Sequence, residues 1–236
     1  MVKYAFRWMP CGDAEAMRNG YFITGTDTEV GKTRVSVALL HWLQQQGLRV
    51  AGMKPVAAGC EETAAGLRNE DALALQAASS VTLPYDTINP YALAPPIAPH
   101  LAARDAGILI DIDPILAAYR TIAAQVDSVV VEGAGGWRVP LNDNQDMSDL
   151  AAALGLPVVL VVDIRLGCIN HALLSAQAIA ARGLPLAGWA ANHAHGDYAR
   201  SADNIASIAA RVGAPLLGVI PYHGDITMDQ VEGLRG

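Results

Sequence analysis

Lys32 and Thr33 close the segment G-T-D-T-E-V-G-K-T (25–33), directly after the apolar run Tyr21-Phe22-Ile23. An ammonium group and a hydroxyl behind a glycine-rich run suit the grip of a nucleotide phosphate. Glycine lets the backbone approach closely, and successive N–H groups with a helix N-terminus face the anion. Lys32 brings positive charge to the β- and γ-phosphates, and the Thr33 hydroxyl is a ligand type for Mg²⁺. The spacing departs from G-x-x-x-x-G-K-[ST], because Gly25 sits one residue early and Thr26 takes the usual glycine place.

Other polar groups stand where apolar runs end. Lys54, in A-G-M-K-P-V, fits either an exposed charge or a clamp on a phosphoryl group in flight. Glu132 follows Val129–Val131 and precedes Gly133-Ala134-Gly135-Gly136, a place from which a carboxylate approaches the nucleotide's metal while glycines leave room for substrate. Asp71, in R-N-E-D-A-L, reads on its own as a helix N-terminal charge. Asn192 ends the run G-W-A-A-N, where guanine-binding proteins carry N-K-x-D. His195 holds the place of that Asp, so adenine is the expected base, with Asn192 hydrogen-bonding it. His193 and His195 alternate as zinc ligands can, but no partner cluster accompanies them.

These residues need strands that end together. Apolar runs at 21–24, 50–54, 128–132, 157–163, 186–192 and 216–221 predict strands, several apolar on both faces. Between them, 32–46, 111–124, 170–182 and 198–212 repeat apolar residues at helical spacing, with Gly47, Gly183 and Gly213 as stops. This alternation predicts an α/β fold, a mainly parallel β-sheet with helices on both faces and ligands at the carboxyl ends of the strands. The Pro-rich stretch 89–100 is expected to be a long surface loop near the site. Residues 1–20 are expected to be a dispensable tail without secretory-signal character, and 21–236 a single domain.

The 236 residues are 52% hydrophobic and 17% charged, which argues against disorder. A net charge of −7 gives no basic footprint for nucleic acid. The longest apolar stretch, 151–162, is too short to span a bilayer, so no membrane segment is expected. Cys11, Cys60 and Cys168 are few and scattered, as in a reducing, cytoplasmic compartment.

Together these pieces resemble the ATP-dependent dethiobiotin synthetases of biotin biosynthesis, a P-loop NTPase-like family. The matching motifs are G-T-D-T-E-V-G-K-T (25–33), K-P-V-A (54–57), G-L-R-N-E-D-A-L (66–73), N-P-Y (89–91), V-E-G-A-G-G-W (131–137), L-G-C-I-N-H-A (166–172), L-A-G-W-A-A-N (186–192) and P-L-L-G-V-I-P (215–221). The resemblance implies a homodimer that uses ATP as co-substrate and Mg²⁺ to join CO₂ or bicarbonate to 7,8-diaminopelargonate. It implies that Glu29, Val30, Gly31, Lys32, Thr33 and Arg34 wrap the phosphates, and it recasts Asp71 as a Mg²⁺ ligand beside Thr33 and Glu132. Lys54 would bind carbamate and γ-phosphate, with Lys32 and Thr28 as further catalytic groups. Thr28 and the backbone of Gly133, Ala134 and Gly135 would position the diamine. Asn192, His193, Pro221, Tyr222 and His223 would hold the adenine side. Asn170, at a helix start, would take the substrate carboxylate of the partner subunit's site.

The chain departs from that family at Ala58, where relatives commonly place a hydroxyl that touches substrate, and the tail after Pro221 is hard to align. Two other readings compete. A partition- or division-type switch ATPase would carry K-G-G-x-G-K-[ST], whereas Asp27-Thr28-Glu29 stands there and no basic amphipathic tail appears. A cobyrinate-type amidating synthetase would need a glutaminase domain, for which the chain has no room.

Overall fold

Strands apolar on both faces must be covered on both sides, and the chain's layers follow from that demand. The computed structural model describes residues 20–222. The N-terminal strand β1 (Gly20–Gly25) leads through the glycine-rich loop into α1 (Lys32–Gln45). Next come β2 (Val50–Met53), three short strands β3 (Val56–Ala58), β4 (Glu61–Thr63) and β5 (Gly66–Arg68), and α2 (Glu70–Ala77). A four-residue helix α3 (Tyr85–Ile88), β6 (Tyr91–Leu93), α4 (Pro99–Asp105) and α5 (Ile112–Ala123) precede the long strand β7 (Ser128–Gly136). The rest alternates regularly: α6 (Met147–Leu154), β8 (Val158–Asp163), α7 (Cys168–Ala181), β9 (Leu186–Asn192), α8 (Ser201–Ala209) and β10 (Leu216–Ile220).

Six strands form one parallel sheet in the order β10-β9-β8-β1-β7-β2. Side chains alternate between its two faces. Tyr21, Ile23, Val130, Val159 and Val161 pack under α1 with Leu39, Leu40 and Leu43. Phe22, Val129, Val131, Leu160 and Val162 pack on the other side with Ile115 of α5, Leu150 of α6 and Ile179 of α7. Helices therefore cover both faces, as the sequence pattern predicts. The six expected strands are the six strands of this sheet.

Register then aims the chemistry. Met53 pairs with Val131, so Lys54, one residue past β2, lies beside Glu132. Ile23 pairs with Glu132, which brings the start of the glycine-rich loop to the same level.

Some expectations change. Residues 89–100 do not form a long surface loop: Asn89 is buried, β6 pairs in parallel with β3, and α4 starts at Pro99. Proline at the first helical turn reads as loop in sequence but suits a helix start. Helix α6 was hidden because its apolar residues lead into β8, with only Gly155 and Pro157 interrupting the apolar stretch 151–162. A capping box of Asp146 and Asp149 marks its start. Gly20 belongs to β1 rather than to a tail, and the expectation for residues 1–19 lies outside the described residues. No helix among the described residues is long and apolar enough to cross a membrane.

Gly52 in β2 shows how tightly the site's supports are set. A Cβ there would lie 2.7 Å from the Leu75 Cβ of α2, the helix that carries Asp71, and 3.1 Å from Leu40 Cδ1. Gly52→Ala is expected to destabilise the fold by ~1–3 kcal/mol through overpacking, read by urea unfolding.

Candidate active site

The loop between β1 and α1 is shaped by two glycines. A Cβ on Gly25 would meet Val30 Cγ2 at 2.6 Å and the Asp27 carbonyl oxygen at 2.8 Å, so the early glycine lets the loop fold back on itself. Gly31 has φ +87°, and a Cβ there would sit 2.1 Å from Asn192 Nδ2. Glu29, exposed at the loop tip, is the only non-glycine residue with positive φ (59°) among the described residues. Such backbone is tolerated where its N–H groups are aimed at a ligand.

Lys32 opens α1 and is buried, its Nζ donating to the Asp27 carbonyl at 3.1 Å. Burial, and then the charge of Lys54, lower its pKa to about 8. Thr33 follows on the same turn. Its Oγ1 lies 2.6 Å from Asp71 Oδ1 and 3.0 Å from Glu132 Oε1, and its single proton can serve only one of them. Asp71 stands in the first turn of α2, whose N-cap Asn69 accepts from the Ala72 N–H.

Lys54 ties this cluster together. Its Nζ donates to Asp71 Oδ2 at 2.7 Å and to Glu132 Oε1 at 2.6 Å. Glu132 is fully buried and Lys54 is 4% exposed. Ser36, one turn into α1, donates to Glu132 Oε2 at 2.8 Å. Burial alone would lower the pKa of Lys54, but Glu132 and Asp71 outweigh it and raise the pKa above the ordinary lysine value. Burial likewise pushes Asp71 up, while Lys54 and the Thr33 hydroxyl hold it below its ordinary value.

A hydroxyl and two carboxylates converge around one cation, and their acceptor oxygens outnumber the available protons. That donor set suits a hard cation, since Mg²⁺ takes one or two carboxylates with hydroxyl, water and phosphate oxygens. The Lys54 ammonium already occupies the centre of such a set. Among the described residues no group of three or more His, Cys, Asp or Glu could hold a metal, His193 and His195 included.

The other predicted residues take distinct places. Thr28 is exposed, its N–H donating to Asp27 Oδ1, and its Oγ1 lies 3.5 Å from where a Gly135 Cβ would be. Val30 is buried, its carbonyl accepting from Asn192 Nδ2 at 2.7 Å. Asn192 is fully buried and its Oδ1 has no partner. Arg34 donates to the Pro221 carbonyl at 3.3 Å, joining α1 to the end of β10. Gly133, Ala134 and Gly135 continue β7 beside the loop. His193 is buried, Ala58 is half-buried, and Pro221, Tyr222 and Asn170 are exposed. Asn170 lies in the first turn of α7, apart from the lysine cluster. His223 lies outside the described residues.

A cleft of about 510 Å³ opens beside the loop tip, lined by Asp27, Thr28, Glu29, Val30, Asp163, Arg165 and His195. Arg165 spans it, with Nη2 3.1 Å from Asp27 Oδ2 and Nε 3.3 Å from Asp163 Oδ2. His195 Nδ1 is 2.9 Å from the same Asp163 oxygen. Sequence reasoning missed this group and missed Ser36. A serine within the apolar stripe of α1, between Val35 and Leu39, was the available signal for the latter.

A parallel sheet with a phosphate-type loop between its first strand and first helix defines a P-loop NTPase fold. Solved structures agree: the MinC:MinD cell division protein complex of Aquifex aeolicus aligns with a TM-score of 0.54 at 16% identity, over 90% of this chain and 85% of that one. A ParA family ATPase from Chlorobium tepidum TLS gives 0.53 at 14% identity, over 91% and 89%. These likenesses concern the fold alone. A family model described as AAA domain matches residues 19–230. The ATP-dependent dethiobiotin synthetase BioD of Pseudomonas aeruginosa (strain UCBPP-PA14) is 55% identical over 202 residues, 85% of this chain and 89% of the relative. That of Xanthomonas oryzae pv. oryzae (strain PXO99A) is 52% identical over 216 residues, 91% and 96%. The chain belongs to the ATP-dependent dethiobiotin synthetase family.

Removing one partner of a buried ion pair strands the other charge. Lys54→Met is expected to cost ~3–5 kcal/mol in denaturant unfolding, and Lys54→Met with Glu132→Gln to recover most of it.

Proposed function

We infer that the chain closes the ureido ring of dethiobiotin, an ATP-dependent ligase reaction on 7,8-diaminopelargonate and CO₂. One amine nitrogen bonds to the carbon of CO₂ and releases a proton, giving a carbamate. A carbamate oxygen attacks the γ-phosphorus, the bond from that phosphorus to the β–γ bridging oxygen breaks, and ADP leaves. The second amine attacks the carbonyl carbon of the resulting mixed anhydride, forming the second C–N bond. Phosphate departs, and a second proton is lost.

The observation that carries this reading is the buried Lys54 ammonium between Asp71 and Glu132, within the loop's reach. Carbamate and ATP are both anions and repel one another. A mobile ammonium that leaves its carboxylates for the space between them lowers that repulsion where the new bond forms. Lys32 neutralises charge on the β- and γ-phosphates, and the N–H groups of Glu29–Arg34 at the start of α1 receive them. Thr33, Asp71 and Glu132 are the residues that would hold Mg²⁺, which when bound supplies charge neutralisation to the phosphates.

Thr28 with the Gly133–Gly135 backbone lines the diamine's place, and Gly135 stands close to Thr28 Oγ1. Half-buried Ala58 leaves that wall without the usual hydroxyl. The orphaned Asn192 Oδ1 is the acceptor for adenine's exocyclic amino group, with His193, Pro221 and Tyr222 at the same end of the sheet. Exposed Leu166 and Leu174 around Asn170 give a second subunit an apolar contact, which supports a homodimer that shares the substrate carboxylate site. The free, buried Cys60 and Cys168 fit a cytoplasmic enzyme. The switch-ATPase reading loses ground at Asp27, which stands where that class keeps its signature lysine and is paired with Arg165.

ADP release is expected to require both the diamine and bicarbonate; release indifferent to either contradicts the reading. Lys54→Ala is expected to lower turnover by about 10³-fold or more while ATP affinity changes little, as for loss of a group that stabilises transferring charge. Asp71→Asn and Glu132→Gln are expected to raise the Mg²⁺ concentration for half-maximal rate, and an unchanged titration would remove them from the metal site.

A further inference from the structure

Lys54 and Asp71 meet at 2.7 Å although one follows β2 and the other opens α2. Attraction draws such a pair together but does not fix where the pair stands in the fold. A second layer, without charge, does.

Asn89, 2% exposed, donates through Nδ2 to the Lys54 carbonyl at 2.7 Å and to the Tyr91 carbonyl at 3.3 Å. Its Oδ1 accepts from the Tyr85 hydroxyl at 3.0 Å. The same Tyr85 oxygen accepts from the Asn69 N–H at 2.8 Å, and Asn69 is the N-cap of the helix that carries Asp71. The Lys54 N–H donates to the Ile88 carbonyl at 2.9 Å. Both sides of the Lys54 peptide are therefore held by the end of α3, and the start of α2 hangs from the first residue of that same helix.

The Tyr85 ring is fixed as well, with the Arg68 guanidinium 4.1 Å from its centre. Burial raises the pKa of its phenol above the ordinary value, which keeps the hydroxyl a donor. A buried polar chain with each of these links made specifies geometry more sharply than apolar packing of the same volume. Neither Tyr85 nor Asn89 belongs to the charged cluster.

We propose that Tyr85 and Asn89 are positioning residues, a brace that sets Lys54 and Asp71 relative to each other so that both meet the same phosphoryl group. This rests on the reading in which those two residues act at the γ-phosphate. Displacement of a catalytic group by ~1 Å can cost about 10²-fold in rate, so a neutral hydroxyl two links away has leverage on turnover.

The test uses the full chain with Tyr85→Phe, which keeps the ring, Asn89→Leu, and the two combined. Tyr85→Phe is expected to lower kcat by about tenfold, within the range that misplacement of a group produces. The Mg²⁺ concentration for half-maximal rate should rise, because Asp71 moves with α2. ADP, which lacks the γ-phosphate, should bind with unchanged affinity by calorimetry. Since both residues belong to one chain of bonds, the double variant should be no slower than Asn89→Leu alone.

Unchanged kcat and Mg²⁺ titration in Tyr85→Phe overturn the brace, as does a lower Tm with both parameters intact. Lys54→Ala separates the two levels. If it abolishes turnover while Tyr85→Phe is silent, only the brace fails; if it leaves turnover normal, the underlying reading fails and the brace with it.

Discussion

A lysine ammonium buried between two carboxylates is the interaction on which the site depends. The Lys54 and Glu132 charges would each be costly alone in the interior, and they are tolerable because they pair with each other, with part-exposed Asp71 also on the lysine. Glu132 has no exposure to water, so its charge must be answered locally. Lys54, with Ser36, answers it. In the proposed reaction a cation that takes over the carboxylates would free the lysine to meet the anions.

The rest of the fold exists to bring those charges together from distant parts of the chain. Parallel register sets Lys54 beside Glu132 across the β2–β7 pairing. The loop is held down from the opposite side, where Asn192 at the end of β9 grips the Val30 carbonyl over Gly31. A side chain at Gly31 would prevent that approach, so the glycine that shapes the loop also permits its anchor. Arg165 restrains the loop tip through Asp27, linking it to the end of β8.

Much of this was legible in the sequence, for identifiable reasons. All six strands of the main sheet announced themselves because strands buried on both faces are continuous apolar runs. Lys32 and Thr33 stood out because they close a glycine-rich loop after the first run, and Lys54 and Glu132 because they end apolar runs. Asp71 did not: in R-N-E-D-A-L it is indistinguishable from a charge that favours a helix start, and only the family motif promoted it. The helices at 99–105 and 147–154 were missed, the first behind prolines and the second merged with the next strand. Segment 89–100 read as loop because Asn and Pro are turn formers, whereas Asn89 is a buried hydrogen-bond hub. Contacts such as Asp27 with Arg165 join residues far apart in sequence, and no local pattern encodes them.

The most direct measurement is a crystal structure with Mg²⁺, a non-hydrolysable ATP analogue and the diamine bound together. There Lys54 Nζ is expected to have left Asp71 and Glu132 and to face the terminal phosphate, while both carboxylates and Thr33 surround the metal. A lysine still clasped by the two carboxylates, with the metal held elsewhere, would contradict it.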